Sequence, residues 1–280
     1  MPELPEVQTV IDTLKPLILG TTIKNIEASY PKIIENDYLS FQKQVIAQRI
    51  VDINRHGKFI IVVFSQGFLV IHLRMEGKFY VVDRQSPWLY DKHSHVRFYL
   101  DNGQVWVYHD VRKFGRIGFV EHLHQHPGLQ RLGLDVFDQI LNPDYLFKAA
   151  KNRSIAIKTF LLDQSVIAGI GNIYANEILF DSKISPFQPA NTIFRSEFEK
   201  ILQSTIKIMT LALNQGGTTI RSYTSSLGVS GLFQQSLMIH NKEKEACHSC
   251  QQTIKRVKIS GRSSFYCPNC QTLRRRKGRS

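Results

Sequence analysis

Residues 247–270 read CHSCQQTIKRVKISGRSSFYCPNC. Two C-x2-C pairs, Cys247/Cys250 and Cys267/Cys270, enclose sixteen residues. Each pair suits a tight turn that aims two sulfurs at one point, and the spacing is that of a tetrahedral zinc site. A redox pair and four unrelated thiols are the competing readings. Between the pairs, Thr253–Ile259 and Ser263–Cys267 read as strands around Gly261, so the segment predicts a β-hairpin clamped by one structural Zn2+. Zinc held by four thiolates has no open coordination position; it builds structure and does not catalyse.

All four cysteines of the chain lie here, and so does much of its charge. From Cys247 to Ser280 there are nine basic residues and no acidic one, in a chain whose formal net charge is +13. Such clustering fits a polyanion, because each phosphate neutralised releases condensed counterions. For Arg274–Arg279 a solvated basic tail is the alternative.

Working outward, 280 residues suggest two domains, and 42% hydrophobic residues are enough to build cores. No apolar run approaches the roughly 20 residues of a membrane span. Met1–Glu6 is acidic and lacks a signal-peptide layout, so a soluble cytoplasmic protein without membrane partners is expected. Residues 5–18 carry the helical stripe Val7, Val10, Ile11, Leu14 and Leu17/Ile18. Strands are expected at Gln44–Asn54, Lys58–Phe64, Gly67–Leu73, Lys78–Asp83, Val96–Leu100 and Gln104–Tyr108. Ser65–Gly67 and Asp101-Asn102-Gly103 serve as turns, the latter with positive φ at both Asn102 and Gly103. This density predicts a sandwich or barrel. His122–Gly128 reads as a linker; its alternating His122, His124 and His126 are a weaker metal candidate. Beyond it, helices are expected from Pro143 (capped by Asn142), from Ser154 as cap to about Leu162, over Asn172–Phe180, and from a Ser196-x-x-Glu199 capping box to Gly216-Gly217.

The first residues hold a possible chemistry. Removal of Met1 would expose the secondary amine of Pro2, and an α-amine with a pKa near 8 is partly neutral at pH 7. Attack on a sugar C1′ or an aldehyde gives an iminium that acidifies the neighbouring C–H. Glu3 lies beside it as an acid/base candidate. Glu6 falls in the first helical turn, where the helix dipole favours a carboxylate. An ordinary Met-Pro start is the bland reading.

Seven motifs in order carry a resemblance: Pro2–Val7, Arg55–Phe59, His72–Gly77, Asp110–Gly115, Gly169–Tyr174, Gln215–Thr219 and Gly261–Cys267. With them, essentially the whole chain resembles the bacterial formamidopyrimidine-DNA glycosylases (Fpg/MutM, 8-oxoguanine DNA glycosylase/AP lyases). The resemblance implies an α+β fold of two domains. An N-terminal helix and a two-layer β-sandwich form residues 1–127; a helical domain with a helix-two-turns-helix motif spans 128–240; the zinc β-hairpin spans 241–280. It implies a monomer acting on damaged double-stranded DNA in the nucleoid, excising oxidised purines and cutting the strand by β- then δ-elimination. Pro2 would be the nucleophile and Glu3 the proton shuttle. Lys58, His72, Asn172 and Arg262 would contact DNA, Lys58 beside the lesion. Met75, Arg112 and Phe114 would fill the gap left by an extruded nucleotide. Thr218 would accept a hydrogen bond from the lesion through its carbonyl, and the backbone of Ile220, Arg221, Ser222 and Tyr223 would cradle its O6. For these residues the plain alternatives are a solvated strand-end lysine at 58, a mere cap at Asn172, core packing for Met75 and Phe114, and a surface loop over 218–233.

The chain departs from the family pattern at Leu132–Phe137 and at His240–Cys247, where a Gly and a Pro are missing and Lys242 replaces an Arg. That leaves the local turn and one phosphate contact open. Endonuclease VIII-like glycosylases, which share Pro2 and Glu3 but prefer oxidised pyrimidines, are the sister reading. Leu4, the Arg112/Phe114 pair and the full-length 218–233 loop favour the Fpg side. A non-catalytic zinc-hairpin DNA-binding module explains the charge and cysteines but gives Pro2-Glu3 no role.

Overall fold

The computed structural model describes residues 1–218 and 231–274. The chain divides into two compact units, Met1–Arg131 with Gln215–Leu232, and Leu132–Asn214 with Phe233–Ser280. The first unit thus runs four residues past the expected boundary at 127 and also takes in 215–232. The hairpin clusters with the helical unit.

In the first unit, α1 (Leu4–Ile18) precedes β1 (Ile23–Ala28) and α2 (Tyr38–Val45). The strands β2 (Ile50–His56), β3 (Phe59–Phe64), β4 (Phe68–His72), β5 (Lys78–Asp83), β6 (Ser94–Leu100), β7 (Gln104–His109) and β8 (Arg116–Val120) follow. They form two antiparallel four-stranded sheets, ordered β1-β6-β7-β5 and β2-β3-β4-β8. Alternate residues of both sheets, such as Ile60, Val62, Ile71, Phe98 and Trp106, share one buried core with the α1 stripe Val7, Val10, Ile11, Leu14 and Ile18. Helix and sandwich are therefore one folding unit, held by apolar burial worth about 1.5–3 kcal/mol per large side chain.

Two expectations here are corrected. The strand expected from Gln44 begins at Ile50, because Gln44 and Val45 finish α2, which Asp37 caps by accepting from Ser40 N at 3.0 Å. In the β6–β7 turn only Gly103 has positive φ (+87°), and Asn102 does not. The loop is the three-residue kind that needs one left-handed residue at its end.

The second unit holds α4 (Pro143–Ala150), α5 (Ile157–Leu161), α6 (Asn172–Asp181) and α7 (Arg195–Asn214), after the short α3 (Pro127–Gln130) of the first unit. A two-residue parallel pair, β9 (Leu134–Asp135) and β10 (Ile167–Ala168), tucks in the chain between α5 and α6. The two turns of that stretch are stapled by one side chain: Gln164 donates to Ile170 O (2.8 Å) and accepts from Gly169 N (3.0 Å). Asn142 caps α4 by accepting from Tyr145 N at 2.9 Å. Ser154 does not cap α5. Residues before Ile157 are extended, and the carbonyls of Gln188 and Pro186 take the first helical N–H groups instead. The box on α7 is built by Glu197, not Glu199, whose carboxylate is too far along the helix; Glu197 accepts from Phe194 N at 2.8 Å. The helix accordingly starts at Arg195, ahead of Ser196.

The hairpin, β11 (Lys255–Ile259) and β12 (Arg262–Tyr266), turns on Ser260 (φ +47°) and Gly261 (φ +75°). The chain leading into it has no Gly or Pro, and Asn241 (φ +62°) and Lys244 (φ +71°) supply the left-handed positions. Asn carries this conformation at low cost; Lys does not. Buried Glu177 on α6 accepts from the N–H groups of Met238, Ile239 and His240, which pins that approach.

His122–Gly128 is not an open linker. Leu123–Gln125 is a 3-10 turn and α3 follows. His126 uses both ring nitrogens, donating from Nε2 to Glu35 (3.0 Å) and accepting at Nδ1 from Gly128 N and Leu129 N. It has no lone pair left for a metal. Among the described residues, only the four cysteines gather as a candidate metal site.

Candidate active site and zinc centre

The start of α1 buries its polar residues. Glu3 is 2% exposed and Glu6 1%. Glu6 Oε2 accepts from Glu3 N at 2.9 Å, closing the first helical turn. Its other oxygen accepts from Thr218 N (2.8 Å) and Thr218 Oγ1 (3.0 Å). Gly217 has φ +74°, and a Cβ there would lie 2.7 Å from Glu6 Oε1. Glycine is therefore required twice over, for conformation and for close approach. One carboxylate thus joins the first residues of the chain to the residue where the 218–233 loop begins.

Lys58 is buried rather than solvated, at the tip of the two-residue β2–β3 hairpin whose first position, Gly57, has φ +56°. Arg55 braces that tip, donating to Gly57 O (3.0 Å) and Gln8 Oε1 (3.2 Å). The α-amine of Met1 is held below its usual value of 8.0, chiefly by burial. Glu3 and Glu6 oppose that shift, Lys58 adds to it, and Glu76 opposes it more weakly. The sequence candidates Glu3, Glu6 and Lys58 therefore act on a single amine at the start of the chain, and Glu76 joins them.

Met75 and the Arg112/Phe114 pair lie on two turns built back to back. The Tyr108 hydroxyl occupies the space where a Cβ on Gly77 or on Gly115 would sit. Buried Asp110 organises the second turn, accepting from Arg112 N (2.9 Å), Gly115 N (2.8 Å) and Tyr108 Oη (3.2 Å). Arg116 Nη1 donates to Gly115 O at 2.7 Å and lies near the carbonyls of Lys113 and Phe114. This scaffold holds Phe114 48% exposed, with the Arg112 guanidinium 4.8 Å from its ring centre. A core role for Phe114 is thereby excluded; Met75 is half-buried.

His72 accepts at Nδ1 from Arg74 N (3.0 Å), which leaves Nε2–H as its donor. Burial first, then Arg74, Lys58 and His126, push its pKa down to about 3. It is a neutral hydrogen-bond donor throughout the physiological range.

In the second unit, Asn172 is the first residue of α6, and Gly171 precedes it as the cap. Asn172 is therefore not a capping residue. Among the described residues, its buried Oδ1 has no hydrogen-bond partner. Arg262 stands exposed where β12 begins. The hairpin that carries it is fixed from below. Lys158, fully buried on α5, donates to Ser263 O (2.8 Å) and Ser264 Oγ (2.7 Å). Asn176 meets His240 Nδ1 at 2.7 Å, and Thr159 meets Ser260 Oγ at 2.9 Å.

The four Sγ atoms lie within 4.8 Å of one another, with Cys247–Cys270 at 3.9 Å and Cys250–Cys267 at 3.4 Å. A tetrahedron with Zn–S near 2.3 Å has S···S edges of roughly 3.8 Å. The donor set fits zinc. The backbone N–H of Gln252, then the Asn269 side chain, pull Cys250 down to about 6, whereas burial and then its neighbouring thiols push Cys270 up to about 12. A dication is what lets four thiolates share so small a space. Phe180, Ile239, Ile254 and Phe265 pack around Cys247 and Cys267.

The loop candidates Ile220, Arg221, Ser222 and Tyr223 lie outside the described residues. Sequence reasoning missed Tyr108, Asp110, Arg116 and Lys158. Only the paired glycines 77 and 115 hinted that something must approach closely there.

Comparison with known proteins agrees with this arrangement. The formamidopyrimidine-DNA glycosylase N-terminal domain matches residues 1–117, its H2TH domain residues 132–224, and the zinc finger found in FPG and IleRS residues 244–273. The chain is 40% identical over 276 residues to a formamidopyrimidine-DNA glycosylase of Bacillus cereus, covering 97% of this chain and 99% of that protein. It is 40% identical over 275 residues to that of Ureaplasma parvum serovar 3, covering 97% and 100%. Among solved structures, Lactococcus lactis Fpg in complex with an abasic site containing DNA superposes with a TM-score of 0.90 at 32% identity, covering 97% of this chain and all of that one. Motif order, fold, cysteine cluster and full-length identity converge, and the chain belongs to the formamidopyrimidine-DNA glycosylase family.

Proposed function

We propose that this protein excises oxidised purines, 8-oxoguanine and formamidopyrimidines, from duplex DNA and then cleaves the strand, as a monomeric cytoplasmic enzyme working on the nucleoid. The observation that carries the catalytic assignment is the half-buried amine at the start of the chain, whose pKa is lowered first by burial and also by Lys58, and raised by Glu3, Glu6 and Glu76. With Met1 removed, Pro2 presents a secondary amine there. Its lone pair attacks C1′ of the damaged nucleotide as the base leaves, and Glu3 moves the proton between the sugar ring oxygen and solvent. The iminium acidifies C2′–H; its loss expels the 3′ phosphate, and a second elimination expels the 5′ phosphate. Lys58 holds a phosphate beside the lesion and favours the neutral form of the amine. Glu6 positions Glu3.

Met75 and Phe114 enter the stack from the minor groove and Arg112 bonds the orphaned opposite base, offsetting an unstacking cost of a few kcal/mol. His72, Asn172 and Arg262 take backbone phosphates, the last two from the α6 N-terminus and the zinc-braced hairpin. Thr218, with Ile220–Tyr223, reads the lesion. Solved relatives support the substrate class: one holds a carbocyclic 8-oxo-G containing DNA and another an abasic site containing DNA.

Borohydride trapping tests the proposal. The mature protein should form a covalent adduct with abasic and 8-oxoguanine duplexes, Pro2→Gly should form none, and Glu3→Gln should excise almost no base. Full activity in both variants would sink these roles, and mass spectrometry should find Met1 absent. Incision assays that rank oxidised pyrimidines above 8-oxoguanine would move the chain to the endonuclease VIII-like reading.

A further inference from the structure

The Arg112/Phe114 turn is gripped through the main chain of Asp110 as well as through its carboxylate, and that grip comes from β6. Ser94 pairs with His109 and Val96 with Tyr108, so His95 is an extra residue set into β6, a β-bulge. A bulge breaks the alternation of a strand and re-aims a side chain. Here Ser94, His95 and Val96 are buried in succession. The bulge is locked by Ser29, which follows β1. Ser29 donates from N to His95 O (2.9 Å) and from Oγ to Ser94 O (2.8 Å).

The re-aimed ring meets the start of the turn. His95 Nε2 lies 2.9 Å from Asp110 O. A carbonyl only accepts, so Nε2 carries the proton. The same carbonyl accepts from Lys113 N (3.3 Å), and Asp110 N donates to His93 O (2.9 Å). His95 is 2% exposed, and burial holds its pKa below the usual histidine value, with the bond to Asp110 opposing that shift. Tyr30 lies 5.7 Å from the His95 ring and holds the Lys113 ammonium 4.7 Å from its own ring centre. Lys113 stands between Arg112 and Phe114 with φ +58°. Lysine rarely adopts that conformation, and surrounding structure must hold it there.

We infer that His95 is a positioning residue for lesion excision: its bond to the Asp110 carbonyl sets the stance of Arg112 and Phe114, and so the rate at which a duplex gives up its damaged nucleotide. The inference rests on the glycosylase reading and adds to it a residue too buried to touch DNA. Arg112 and Phe114 matter where a nucleotide leaves a stack and an opposite base. An abasic site in a single strand has neither, so it does not call on His95.

The test uses the full zinc-loaded chain. His95→Phe keeps a ring without an N–H, and His95→Gln returns an amide N–H near the place of Nε2. Single-turnover excision of 8-oxoguanine from duplex should fall about tenfold in His95→Phe, the scale of one buried hydrogen bond, and should be largely restored in His95→Gln. Borohydride trapping on a single-stranded abasic oligonucleotide should match the parent in both. If His95→Phe does not fold, His95→Asn, whose shorter amide does not reach Asp110 O, takes its place with the same expectation. A variant without the donor that excises from duplex as the parent does overturns the inference. So does one that loses duplex and single-strand activity in equal measure, or a folded His95→Gln that stays slow. A parent that traps on neither substrate overturns the glycosylase reading itself, and this inference with it.

Discussion

At the scale of single residues, Glu6 does more than complement a helix dipole. Its two oxygens accept from three donors on segments more than two hundred positions apart in sequence. Glu6→Gln keeps the shape but offers one acceptor oxygen, so at least one buried N–H loses its partner, at about 1–3 kcal/mol. Thermal denaturation should register that loss, and base excision should slow more than duplex binding weakens. Lys58 yields a pH prediction. It lowers the pKa of the terminal amine, whose neutral form acts as the nucleophile in the proposed mechanism. Activity therefore rises with pH through that pKa, and Lys58→Gln should move the midpoint of the trapping rate upward; an unmoved or lowered midpoint contradicts the arrangement. His72, with a pKa of about 3, should contribute no titration to DNA affinity between about pH 5 and 8.

At the scale of elements, α1, the sandwich strands and the cysteine hairpin were legible in the sequence. Their signals are local: the apolar stripe from Val7 to Ile18, runs of β-branched residues, and the 247–270 spacing. The errors were local signals overruled by neighbours. Ser154 could cap a helix, but the 186–188 loop satisfied α5 first. Glu199 sat in a good box, yet Glu197 stood nearer the true start. Catalytic candidates could be read because their motifs are sequence-contiguous. The braces could not be: Lys158 meets Ser263 across 105 positions, and no pattern near either residue announces it. Lys158→Met should lower the melting temperature and weaken duplex binding, because the Arg262 hairpin loses its support. Trapping on abasic DNA at saturating concentration should stay close to that of the parent; an abolished adduct would mean that Lys158 serves the chemistry itself.

At the scale of the whole molecule, no helix among the described residues is long and apolar enough to cross a membrane, and the +13 charge fits a partner made of phosphates. Affinity for undamaged duplex should fall steeply with salt, with a slope of roughly −0.9 per phosphate contact. Chelation of zinc should abolish much of that binding while leaving the sandwich folded, since the hairpin and its core belong to the other unit. A single cooperative loss of both units on chelation would contradict this independence. Net charge says where the molecule holds DNA. It is silent about the acidic end of the chain, where the proposed chemistry rests on Pro2 and Glu3, with Glu6 bonded to Glu3 N.

The Tyr108 hydroxyl has a bearing on how this sequence can drift. It fills the volume that two glycine side chains leave vacant, so positions 77, 108 and 115 form one compound character rather than three. Alanine at 77 or 115 should be damaging, and Tyr108→Phe should relieve only part of that damage, because a Cβ at 115 would still lie 2.7 Å from Tyr108 Cζ and one at 77 would lie 2.8 Å from Leu73 O; a double-mutant cycle pairing Gly115→Ala with Tyr108→Phe should show positive coupling. Among related chains the three positions are expected to change together or stay fixed together.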